Sequence, residues 1–143
     1  MTNRLTYPSE RFRENIEPAL AEYLKNPLSK RSANNLARDL DHHSDWAFEY
    51  YKQNDRSRLN GATDVKTFRR QLYGQCPELR MMNDLSDASH HRFLNRRSNP
   101  QRIVTASTAA YSVKDDALYV RNYETHFLPA ANTAVDFWRD WND

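Results

Sequence analysis

Only two glycines, Gly61 and Gly74, occur in the 143 residues of this chain. Glycine supplies the left-handed backbone that tight turns and phosphate-cradling loops depend on. With two of them the chain cannot build a glycine-rich nucleotide loop or a dinucleotide fingerprint, and a turn-rich all-β fold is disfavoured. What remains is a mainly α reading: a four- or five-helix bundle with a small antiparallel β-hairpin before the last helix. The length suits one domain over residues 1–143, large enough to fold without a disulfide or a metal. Aromatic residues, at 12%, carry much of the burial that a 38% hydrophobic content has to supply.

The formal net charge of +2 gives no strong field toward nucleic acid or an anionic membrane. Sixteen arginines stand against five lysines, a bias that a GC-rich genome produces as readily as phosphate recognition does. Cys76 is alone, so no internal disulfide, zinc ribbon or redox pair is available. The sequence has neither a signal-peptide pattern nor an apolar run as long as a membrane span. The expectation is a cytoplasmic protein with no cofactor and no membrane contact.

The helices are expected over residues 8–95. The first starts at Pro8, with Phe12, Ile16, Leu20 and Tyr23 at three- and four-residue steps. Ser29 caps a second, reaching about Asn54, whose stripe is Ala33, Leu36, Ala37, Leu40, Ala47, Phe48 and Tyr51. Thr63 or Asp64 caps a short third helix bearing Val65, Phe68 and Leu72, which Gly74 ends. Pro77 opens a fourth, with Leu79, Met82, Leu85 and Phe93 inward. Residues 102–122 are rich in β-branched residues and read as the hairpin, its strands divided by Lys114-Asp115-Asp116. A last helix over residues 129–142 turns Ala131, Val135, Trp138 and Trp141 inward.

Four of the five histidines come in two pairs, Asp39-Leu40-Asp41-His42-His43 and Asp87-Ala88-Ser89-His90-His91. An acid three residues before a histidine on two helices is the spacing of carboxylate di-iron sites. At about 100° per residue, however, His42 falls about 160° from the centre of the second helix's stripe and faces water. Because these acid–histidine pairs point outward, no metal site is expected. His43 and His90 instead flank their stripes and are candidates to meet as an acid–base pair, with Asp39 one turn before His43 to orient its ring. Alternatively, both are amphipathic side chains with an inner apolar face.

The stretch from Arg38 to His43, an arginine and a histidine with four residues between them, resembles the motif of HEPN-type ribonucleases. That similarity implies a metal-independent ribonuclease, of the kind found in toxin and phage-defence systems. Arg38 would hold the phosphate and His43 would move the proton during attack by the ribose hydroxyl. A broader likeness runs through His42-His43-Ser44-Asp45-Trp46, Asp84-Leu85-Ser86-Asp87-Ala88-Ser89-His90-His91 and Val135-Asp136-Phe137-Trp138. In this the chain is similar to a group of short uncharacterised bacterial helical proteins. The group brings no activity with it, and it favours Lys-His where this chain has His90-His91.

Arg92, Arg96, Arg97 and Arg102 cluster around the end of the fourth helix. They serve either the helix dipole or an RNA backbone as a nucleic-acid-binding patch. Trp46 and Tyr50 form a ridge beside the main stripe, to be covered by the hairpin, the last helix or a second copy of the chain. A homo-oligomer or another protein partner is therefore expected. Cys76 precedes a helix start, where a thiolate is favoured, but no base can be placed on it, so it reads as structural. The leading functional expectation is a non-enzymatic interaction or regulatory domain, with the ribonuclease as the alternative.

Overall fold

In a computed structural model, residues 7–90 and 110–141 are described, with the side chains of residues 88–90 excepted. The longest element is α2 (Lys30–Asn54), and its start is set by Ser29, whose hydroxyl accepts the Ser32 N–H at 3.1 Å. The expected stripe of α2 is buried from Ala33 to Tyr51, and so are Asp41, His43 and Ser44. Burial over that wide an arc marks a central helix with neighbours on several sides.

The first helix, α1, has α-helical turns at Pro8–Arg11 and Glu17–Lys25 around a π-helical turn, Phe12–Ile16. Pro18 explains the interruption. It has no N–H to offer Glu14, and its ring would press on that carbonyl. The ladder widens, and the Glu17 N–H bonds to Phe12 O instead. Phe12, Ile16 and Tyr23 enter the core from this helix.

Asp64 caps α3 (Val65–Gln75), accepting from the Thr67 N–H at 2.7 Å. Gly74 does not end this helix as expected. It lies inside, and the chain leaves helical geometry at Cys76 (φ −143°, ψ 90°), because the residue before a proline is pushed into extended backbone. Pro77 then opens α4 (Pro77–His90), which buries Leu79, Met82 and Leu85.

Among the described residues the sheet has three antiparallel strands, β1 (Tyr111–Lys114), β2 (Ala117–Val120) and β3 (Thr125–His126), in that order. Asp115 and Asp116 both have positive φ (56° and 60°) in the two-residue turn, the backbone that matches strand twist in a hairpin. The expected strand residues 103–109 lie outside the described residues. β3 was not expected: a 3₁₀ turn, Arg121–Tyr123, and Glu124 at φ 50° bring two further residues back beside β2. Leu118 and Val120 are buried, and Tyr111 packs on Phe127 with its hydroxyl donating to Asn34 Oδ1 at 2.8 Å.

The last helix, α5 (Phe127–Trp141), buries Ala130, Ala131, Ala134, Val135 and Trp138. Trp138 has no exposed surface, and its indole N–H donates to Leu40 O of α2 at 3.1 Å. Arg58 closes the end of α5: its guanidinium lies between the Tyr51 and Trp141 rings, at 4.7 and 4.6 Å, and bonds to Trp141 O. A cation at a helix C-terminus meets both the dipole and an orphan carbonyl.

Candidate functional site

Two polar clusters flank α2. The first is built on His43, which is 0% exposed rather than at a wet boundary. The apolar stripe alone underestimated its burial because α1 and α5 close over this side. Phe12 stands edge-on at 6.3 Å and Trp138 at 4.5 Å between ring centroids. Arg11, 9% exposed, bonds through Nη1 to His43 Nδ1 at 3.0 Å and to Asp39 O at 3.2 Å. A guanidinium only donates, so Nδ1 accepts and the ring is neutral with its proton on Nε2. Burial pushes the Arg11 pKa down, opposed by the charges of Asp39 and Asp45.

Arg11 thus takes the orienting role expected of Asp39. The Asp39 carboxyl is half-buried and its pKa is raised by desolvation, with Arg11, Arg38 and His42 opposing. Arg38 does not join His43: it is exposed and donates to Asn35 Oδ1 at 3.4 Å. His42 faces water as its angle predicts. His90 is the last residue of α4, and its side chain lies outside what is described, as do Arg92, Arg96, Arg97 and Arg102. Among the described residues no group of three or more His, Cys, Asp or Glu side chains is placed to hold a metal ion. No helix among them is long and apolar enough to cross a membrane.

Among the described residues, the Trp46–Tyr50 ridge is met by the chain's own first helix and the residue before it. The Arg11 guanidinium lies 5.8 Å over Trp46, and Tyr7 packs at 5.1 Å on Tyr50. Cys76 is buried, and desolvation pushes its thiol pKa up, which suits the structural role.

The second cluster was not foreseen. Asp41, 4% exposed, and Asp45 lie one turn apart on α2 and share Arg69 of α3. Arg69 reaches Asp41 Oδ1 at 3.1 Å through Nη1 and Asp45 Oδ1 at 2.8 Å through Nη2. Asn83 of α4 donates to Asp41 Oδ1 at 2.9 Å. Burial pushes the Asp41 pKa up, against the pull of Arg69 and Asn83. Burial alone would lower Arg69, but Asp41 and Asp45 hold it above its ordinary value. One signal was legible: Asp41 falls in the column Ala37, Ser44, Phe48, and an acid in a buried column implies a buried cation.

Above this network α3 and α4 enclose a groove of about 510 Å³, lined by Lys66, Arg69, Arg70 and Tyr73 from α3 and by Arg80, Asn83 and Asp87 from α4. Lys66, Arg70 and Arg80 are exposed, and Tyr73 and Asn83 are half-buried. Desolvation raises the Tyr73 pKa, so its hydroxyl stays protonated. The chemistry that the described lining residues offer is cationic and hydrogen-bonding. No protein-family model matches the chain, and neither a curated protein nor a solved structure matches it.

Proposed function

We propose that this chain is a non-enzymatic interaction domain that receives an anionic partner on the α3–α4 face. The observation that carries the reading is the complete burial of His43 behind Arg11. A general base has to reach the proton it abstracts, directly or through one water, and this imidazole is enclosed by Phe12, Trp138 and a guanidinium. Its geometry suits a side chain that joins three helices. Self-association is another form that such a domain can take. Tyr7 and Arg11 already occupy part of the Trp46–Tyr50 ridge, which favours the charged groove over that ridge as the binding face.

The test is to incubate the purified protein with structured and unstructured RNA, without added metal, and to follow chain length. Intact RNA is the expected result. Cleavage by wild type that disappears in His43→Gln, with both proteins melting at the same temperature, would establish the HEPN-like ribonuclease on Arg38 and His43 instead.

A further inference from the structure

We infer that the α3–α4 groove holds the phosphodiester backbone of a single strand of nucleic acid; this rests on the interaction-domain reading. The charges are sorted in a way that suits it. Arg69 is turned inward and neutralised by Asp41 and Asp45. Lys66, Arg70 and Arg80 line the same hollow, are exposed, and take no part in the ion pairs among the described residues. Among the described residues Asp87 is the one acid in the lining, and with Asp41 and Asp45 beneath it the four cations Lys66, Arg69, Arg70 and Arg80 still exceed the three acids.

Shape and side-chain chemistry narrow the anion. Lys66 and Arg70 are one helical turn apart, about 5–6 Å between Cβ atoms, and Arg80 faces them from the other wall. Two cations on one wall and a third on the other leave room for a thin charged chain between them. Arginine forks match phosphate oxygens in pairs. Tyr73 and Asn83 line the same groove, one offering a ring for stacking and the other, whose amide nitrogen already donates to Asp41, an amide oxygen for base edges. A duplex carries its phosphates on a convex outer surface and would meet only the rims, whereas a strand can lie inside.

The experiment is fluorescence anisotropy with labelled ten-nucleotide oligo-U and oligo-dT at 50 and 200 mM salt. About three phosphates contacted on a single strand give a log–log salt slope near −2, a loss of affinity of roughly twentyfold over that range. Arg70→Glu and Arg80→Glu should each weaken binding and flatten the slope by about 0.7. Tyr73→Leu should weaken binding with the slope unchanged. These positions are exposed or half-buried, and matching melting temperatures would show that each variant is folded. Should either glutamate variant melt early, Arg70→Gln and Arg80→Gln carry the same comparison. Equal binding of the two oligonucleotides means backbone contact alone, and preference for oligo-U adds the 2′-hydroxyl; both support the inference. Absence of saturable binding overturns it, as does a slope that neither arginine variant changes. Displacement by poly-glutamate as readily as by unlabelled strand would also overturn it, pointing to an acidic peptide instead. Bound but uncut RNA supports both readings, His43-dependent cleavage removes the non-enzymatic one, and no binding removes only this one.

Discussion

The imidazole of His43 and the indole of Trp138 meet edge to face, with centroids 4.5 Å apart and both side chains wholly enclosed. The contact joins α2 to α5 across 95 residues of sequence, and the Trp138 N–H adds a bond to Leu40 O in the same place. Trp138→Ala removes the ring, the bond and the wall of the His43 site together. Truncation of a buried tryptophan costs about 3–5 kcal/mol, a large share of the about 5–15 kcal/mol that holds a domain of this size. Urea unfolding should show that loss, or the variant should be insoluble. His42→Ala on the wet side of α2 should stay within about 0.5 kcal/mol of wild type.

Arg11 and His43 should be energetically coupled. Arg11→Met leaves His43 Nδ1 without the Arg11 donor in a buried setting, at about 1–3 kcal/mol. His43→Phe removes the acceptor but leaves a buried guanidinium. The double variant Arg11→Met/His43→Phe should lose less stability than the sum of the two singles, because it buries neither orphan. Additive losses in a denaturation cycle would mean that the bond contributes nothing of its own.

How much of this could be read in advance depended on how many neighbours each helix has. The α2 stripe, the Ser29 cap and the Trp138 anchor follow from local periodicity and were legible. His43 was misplaced because periodicity locates one buried face, and α2 has several. The π turn follows from Pro18, a local signal that the apolar steps of α1 obscured. β3 is two residues long, too short for any pattern to register. The Asp41–Arg69–Asn83 network joins three helices, and sequence spacing constrains only the Asp41–Asp45 half of it.

Asp41 makes stability depend on pH in a defined direction. Burial raises its folded-state pKa above the unfolded value, with Arg69 and Asn83 opposing. The folded protein therefore binds more protons than the unfolded chain as the group titrates, and this contribution to stability falls as pH rises from the ordinary carboxylate range through the raised value. Asp41→Asn removes that dependence. The stability difference should shift in favour of the variant as pH rises above about 4, read from urea curves at several pH values. A shift in favour of wild type would show that Arg69 outweighs burial.

Cys76 should be a slow thiol. Its burial and raised pKa oppose the helix-start effect that would expose a thiolate. Reaction with an aromatic disulfide reagent at pH 8 should proceed far more slowly than in the urea-unfolded chain. Equal rates would place the sulfur at the surface.

Whether His43 is a structural joint held by Arg11 can be read from one spectrum. A long-range ¹H–¹⁵N correlation of the histidine rings at pH 7, assigned by comparison with His43→Gln, reports which ring nitrogen carries the proton. One neutral form is expected, with Nδ1 bare and accepting and Nε2 protonated. A protonated ring, or the exchanging tautomers of an imidazole open to solvent, would contradict it and return His43 to the candidates for catalysis.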